Sequence, residues 1–149
     1  MLQNVGDMNL ALVFGAIGSG FGAGVAGMAA VGAWKKCYAQ NKAAPLLLIA
    51  FVGAPLTQTL YGFVLSDKIR ALGAAPDMTA YISRIVMGML AGVALGISAY
   101  WQGKAAASAC DSFGESNKGF ANNMIVLGII ETVALFVLAF SMMSVGKIA

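Results

Sequence analysis

The chain has 149 residues, of which 60% are hydrophobic and only 10% charged, with a mean hydropathy of +0.83; a soluble globular domain carries about 25% charged residues. That composition excludes an ordinary soluble domain and predicts an integral, multi-pass membrane protein. The net charge of +3 is scattered over short connections and forms no dense basic patch, so nucleic acid is excluded as a partner, and the absence of His excludes catalysis and metal ligation by imidazole.

Residues 1–10 contain Asp7 and no Lys or Arg. The apolar stretch that follows is longer than a signal-peptide core, so the expectation is a retained first span and not a cleaved leader. Uncharged stretches run from Leu10 to Ala33, from Pro45 to Ser66, from Ile85 to Gly103 and, apart from Glu131, from Gly119 to Gly146. About 20 apolar residues cross the hydrocarbon core as a helix, so each stretch can span it. The first span holds Gly15, Gly18, Gly20, Gly22, Gly24, Gly27 and Gly32. Its pairs Gly18/Gly22 and Gly20/Gly24 have the spacing that lets helix backbones approach closely in lipid. The third span repeats this with Gly88, Gly92 and Gly96, while the second and fourth are bulkier, which predicts a tight inner pair of spans one and three and an outer pair of two and four.

The predicted fold is therefore all-α, a single membrane domain over 1–149 with four transmembrane helices arranged as two tandem hairpins, approximately 8–67 and 81–146. Both termini then share one side, and the loops at 35–42 and 104–118 share the other. The loop side carries Lys35, Lys36, Lys42, Lys104 and Lys118, and the opposite side carries Lys68, Arg70, Arg84 and Lys147. An excess of one basic residue places the loops in the cytoplasm and both termini outside. Cys37 and Cys110 fall at the cytoplasmic ends of helices, where thiols stay reduced, and are read as packing residues.

Cys37 and Cys110 are 73 positions apart, and the same offset superposes Val13 on Val86, Gly15 on Gly88, Ala33 on Ala106 and Thr59 on Thr132. It also lays Phe63, Val64 and Leu65 on Phe136, Val137 and Leu138, an ungapped triplet that marks an internal repeat. Under this alignment Gln58 falls on Glu131, so one hairpin carries a carboxylate where the other carries its neutral amide counterpart.

Glu131 is the sole Asp, Glu, Lys or Arg within the four stretches. A charge near the bilayer centre costs roughly 2.5–3.5 kcal/mol on insertion scales, which makes it a functional candidate by default. In the second span Ala54, Thr57, Gln58 and Tyr61 recur at i, i+3, i+4 and i+7, on one helical face. Pro55 has no N–H, which deprives the Phe51 carbonyl of its helical partner and predicts a bend beside this stripe. Gln102 in the third span and Glu131 in the fourth are equidistant from a turn at Ser116 and Asn117, so they lie at similar depth. Glu131 is 13 residues past Lys118, about 20 Å along a helix. Together these residues offer a carboxylate, two amide oxygens, a hydroxyl and a carbonyl beside the bend, a set of hard oxygens with one negative charge that suits a monovalent cation. Tyr61 can donate its hydroxyl to Glu131. A polar cluster that merely glues helices together is the alternative reading.

The stretches from Pro55 to Phe63 (PLTQTLYGF), from Tyr100 to Ser108 (YWQGKAAAS) and from Gly128 to Phe136 (GIIETVALF) resemble the proteolipid ring subunit, called K or c, of rotary V-type and A-type ATPases. The resemblance covers all four spans. It implies a homo-oligomeric rotor ring in the membrane of a prokaryotic cell, turning against a stator subunit that presents an arginine, with central-stalk subunits meeting the cytoplasmic loops. Glu131 matches the ion-carrying carboxylate of that family. In its sodium-binding members the ligands match Thr57, Gln58, Gln102 and the carbonyl of Ala54, and Tyr61 matches the tyrosine that locks the carboxylate. These matches favour Na⁺ over H⁺ as the transported ion. They imply a non-catalytic subunit of an ATP-driven pump without a cofactor of its own, and the sequence has no GxxxxGK[ST] loop to cradle a phosphate.

The competing expectation is a small secondary transporter of the multidrug-exporter type, in which Glu131 alternates between a proton and a cationic substrate. It calls for aromatic residues around Glu131, where the fourth span offers Phe136 and Phe140.

Overall fold

The computed structural model describes residues 5–148; residues 1–4 and 149, the ends of the single domain expected over 1–149, lie outside the described residues. All regular structure described is helical: α1 (Leu10–Ala39), α2 (Leu48–Gly53), a 3₁₀ turn (Ala54–Leu56), α3 (Thr57–Arg70), α4 (Met78–Ser116) and α5 (Phe120–Val145). With α2, the 3₁₀ turn and α3 forming one continuous rod, four helices are long and apolar enough to cross a membrane.

The helices outlast the uncharged stretches that announce them. α1 runs through Lys35 and Lys36 to Ala39, and α4 runs through Lys104, Asp111 and Glu115 to Ser116. The loops expected at 35–42 and 104–118 are therefore largely helix, because charge ends an apolar window without ending an i→i−4 hydrogen-bond ladder. Backbone conformation ends it instead: Asn117 (φ 52°) and Gly119 (φ 79°) both occupy the left-handed region that reverses the chain between α4 and α5.

The glycines separate into two sets. A Cβ on Gly18 would come within 2.1 Å of the Gly96 backbone, and one on Gly103 within 2.2 Å of Gly22. The Gly18/Gly22 pair thus lies in the contact between α1 and α4, the tightest and most extensive in the molecule. The Gly20/Gly24 pair faces open space. α5 is the least enclosed helix, burying only Leu127, Ala134 and Val145. Spans one and three form the close pair and spans two and four flank it, as the small and bulky residues predict.

Two apolar clusters fix the axial register. One, toward the loops, joins Ala26, Ala30, Leu48, Phe51, Ala106, Phe113 and Leu127, with Phe51 packed on Phe113 and Phe120 at ring-centroid distances of 6.1 and 5.2 Å. The other, toward the termini, joins Ala11, Leu65, Ile69, Ala91 and Val145. Beside the second cluster Asp7 is buried, its carboxylate accepting from the backbone N–H of Asn9 and Ala11 at 3.0 Å each and from Ser66 Oγ at 2.9 Å. It caps α1 and ties it to the end of α3 in one contact.

Candidate functional site

Pro55 shapes the site from the backbone up. It interrupts the second span, and the chain tightens into the 3₁₀ turn at Ala54–Leu56. The Phe51 carbonyl is not left open as the missing Pro55 N–H predicts: the N–H of Ala54 donates to it. A tightened turn re-pairs the carbonyl one residue earlier, a usual remedy for proline in a membrane helix. The carbonyl beside the polar stripe is that of Ala54, where Thr57 Oγ1 lies 3.1 Å away.

From there a hydrogen-bonded chain crosses three helices. Thr57 Oγ1 is also 3.2 Å from Gln58 Oε1. Gln58 Nε2 donates to Gln102 Oε1 on α4 at 2.8 Å. Gln102 Nε2 reaches α5, at 3.0 Å from the Leu127 carbonyl and 3.4 Å from Glu131 Oε2. Tyr61 Oη, one turn along α3 from Gln58, closes the circuit by donating to Glu131 Oε1 at 2.6 Å. That length lies within the ordinary range for a hydroxyl donating to a carboxyl oxygen. All six residues singled out in the sequence, Ala54, Thr57, Gln58, Tyr61, Gln102 and Glu131, are thus drawn into one network.

Their environments differ. Gln58 and Gln102 are fully buried, and each has its amide paired. Ala54, Thr57, Tyr61 and Glu131 are half-buried, at the outer margin where α3 meets α5. The arrangement is a set of fixed neutral dipoles on the inside and one ionisable oxygen pair near the surface. Amide and hydroxyl oxygens in a dry setting can replace part of a small cation's hydration shell, and the carboxylate supplies the neutralising charge. Phe136 and Phe140, the aromatic residues the fourth span offers near Glu131, stack on one another at 6.0 Å and are both exposed.

Sequence reasoning missed Ser98. Nearly buried on α4, it points its hydroxyl at the Ile130 carbonyl, 3.4 Å away, one residue before Glu131. Its position one turn before Gln102 on the same helical face was the available signal.

Four apolar spans enclosing one carboxylate among amide, hydroxyl and carbonyl oxygens define a polytopic membrane protein organised around a single polar site. The family model for the C subunit of ATP synthase matches residues 85–144, which hold most of α4 and nearly all of α5. The A-type ATP synthase subunit K of Methanocaldococcus jannaschii is 34% identical over 127 residues, covering 85% of this chain and 54% of that protein. The chain thus spans about half the length of the curated relative it matches. Over the second hairpin the chain thus matches the family of ATP synthase C subunits, and over most of its length it is similar to an A-type ATP synthase subunit K.

Proposed function

We propose that this chain is the ion-carrying, non-catalytic rotor subunit of an A-type or V-type ATPase, and that Glu131 with Thr57, Gln58, Gln102 and the Ala54 carbonyl binds Na⁺. The observation that carries this reading is the Tyr61–Glu131 hydrogen bond at 2.6 Å, joined through Gln102 and Gln58 to the Ala54 carbonyl. The similarity to C and K subunits of ATP synthases supports the rotor role, and the oxygen chemistry supports the ion.

The mechanism follows from electrostatics. Copies of the chain assemble into a ring, each hairpin pair forming one unit of a single membrane domain. An ion reaching Glu131 neutralises its charge, so the loaded copy turns through lipid at a cost an ionised carboxylate would not permit. Tyr61 holds the carboxylate toward the buried amides while the site is closed. An arginine on the stator attracts the carboxylate in turn, loosens the Tyr61 bond and releases the ion to the other side. ATP chemistry takes place on other subunits, coupled through a central stalk that contacts the 40–47 and 117–119 turns. In this reading the turns face the cytoplasm of a prokaryotic cell and both termini lie outside.

Carbodiimides attack a protonated carboxyl in an apolar setting, which makes them a direct test. Labelling of the purified membrane complex, mapped by mass spectrometry with and without NaCl at matched ionic strength, is expected at Glu131 and is expected to be suppressed by Na⁺. Labelling at Glu131 that ignores Na⁺ would retire sodium in favour of the proton. Labelling elsewhere would remove Glu131 from the carrier role.

A further inference from the structure

Ser19 lies on the buried face of α1 with 2% of its surface exposed, and its Oγ has no hydrogen-bond partner among the described residues. A helical serine commonly returns its hydroxyl to the carbonyl one turn back. Ser108, Ser116 and Ser144 do so here, bonding the carbonyls of Lys104, Ser112 and Phe140 at 3.4, 2.8 and 3.0 Å. Ser19 forgoes that bond where water cannot replace it. A buried hydroxyl left unpaired has given up its hydration without return, so its Oγ points to a partner taken up in another arrangement of its neighbours.

The neighbour in reach is Gln58. Gly15, Ser19 and Gly22 fall at i, i+4 and i+7 on one face of α1. A Cβ on Gly15 would come within 2.8 Å of the Gln58 carbonyl oxygen, and one on Gly22 within 3.0 Å of Pro55 Cβ and 2.3 Å of the Ala99 carbonyl oxygen on α4. Ser19 therefore sits between the levels of Gln58 and Pro55, where α1, α3 and α4 meet. These contacts run in opposite directions along α1 and α3, and a helical side chain leans toward the N-terminus of its own helix. Ser19 thus leans toward the level of Gln58, and Gln58 toward the level of Ser19. The Gln58 amide carries two N–H groups, and its Nε2 bonds Gln102 Oε1 at 2.8 Å.

We infer, resting on the Na⁺ reading of the site, that Ser19 is a specificity-determining residue: its hydroxyl accepts the Gln58 amide N–H when Na⁺ is bound, and so favours Na⁺ over H⁺. In the Na⁺ site the cation and the Gln58 N–H meet at the same oxygen, Gln102 Oε1. Both are positive, so each weakens the other's hold. Ser19 Oγ gives the amide another acceptor and frees the Gln102 oxygen for the ion. A proton loads the site differently. It cancels the charge on the Glu131 carboxylate itself, and the bond between Gln58 and Gln102 stays as it is. Ser19 touches neither ion and acts through Gln58. The internal repeat sets Gly92 opposite Ser19, so the hydroxyl accompanies the hairpin that holds the amide.

Two readouts on the purified, assembled membrane complex test this: the Na⁺ concentration that half-protects Glu131 from carbodiimide, and the pH profile of Glu131 labelling without Na⁺. Ser19→Ala is expected to raise the first roughly fivefold, the order of effect of one neutral hydrogen bond, and to leave the second in place. Thermal dissociation without Na⁺ should come no earlier than in the wild type, because alanine removes an unpaired hydroxyl and favours the helix. Ser19→Cys keeps a side chain of similar shape with a weak acceptor; it should match Ser19→Ala, and it serves if the alanine variant does not assemble. Half-protection that stays at the wild-type value overturns the role of Ser19 and leaves the Na⁺ reading standing. A pH profile displaced along with half-protection would mean that Ser19 acts on Glu131 whatever it carries, and failure of both variants to assemble would mark it as a packing residue; either result overturns the specificity. Wild-type labelling that ignores Na⁺ fails one step earlier, removing the ion and with it the role assigned to Ser19.

Discussion

Gln58 and Glu131 occupy corresponding positions of the internal repeat, yet the structure treats them in opposite ways. Gln58 is fully buried, its amide donating to Gln102 and its oxygen close to Thr57. Glu131 is half-buried on the helix with the least enclosure, held by Tyr61 from one side and approached by Gln102 from the other. The amide sits where a permanent charge would be too costly, and the carboxylate sits where something outside the chain can reach it. Of the two similar hairpins, one thus holds a fixed, neutral amide and the other a half-buried, ionisable carboxylate.

The most drastic way to break that comparison is to make the halves alike. Glu131→Gln leaves an amide in both hairpins and removes the chain's only carboxylate within the four uncharged stretches. Complete loss of ATP-driven ion uptake in reconstituted vesicles is expected, with the complex still assembling, because a neutral amide costs less at membrane depth than a carboxylate. Retention of even a substantial fraction of transport would mean that Glu131 is not the carrier.

The reverse substitution, Gln58→Glu, probes the neutral half. Gln58 Nε2 donates to Gln102 Oε1 at 2.8 Å, so a carboxylate there would set two acceptors against each other in a fully buried position. Uncompensated buried charge costs several kcal/mol. Thermal dissociation of the purified complex should occur at markedly lower temperature than in the wild type. Unchanged thermal stability would show that position 58 reaches water or a cation as readily as position 131, and the contrast between the hairpins would fail.

How much of this contrast was legible beforehand depended on the kind of signal. The depth match of Gln102 and Glu131 could be read by counting from the turn, because antiparallel helices keep their register; Asn117 and Gly119 do reverse the chain there. The stripe from Ala54 to Tyr61 was legible as helical periodicity, and it survives the 3₁₀ turn because that turn lasts only three residues. Three features were not legible, each for a physical reason. The reach of α4 to Ser116 was hidden because charges end an apolar stretch but tolerate a helix. The fate of the Phe51 carbonyl depended on a local choice between i+4 and i+3 pairing that composition does not reveal. Asp7 looked like a mark against a leader peptide, whereas it is a buried cap on α1, bonded to Ser66 and pressed so close to Gly88 that a Cβ there would lie 2.2 Å from its carboxylate. That contact joins residues far apart in sequence, and no local pattern announces it.

The smallest expected effect tests the most specific part of the contrast, namely what holds Glu131 in place. Tyr61 has no aromatic counterpart in the second hairpin, since the repeat sets Ala134 opposite it, so the lock belongs to one carboxylate alone. In Tyr61→Phe the ring remains to pack and only the hydroxyl is lost, together with its 2.6 Å bond to Glu131. A hydrogen bond to a charged group contributes about 1.5–3 kcal/mol. The Na⁺ concentration that half-protects Glu131 from carbodiimide should then rise roughly tenfold or more. Assembly and thermal stability should stay near the wild type, because Tyr61 is half-buried and its ring contacts persist. If half-protection does not move, the hydroxyl is incidental to ion binding and Gln102 alone orients the carboxylate. A rise of that size with an intact complex would instead locate the lock in a single oxygen, on the hairpin whose apolar stretches hold no carboxylate.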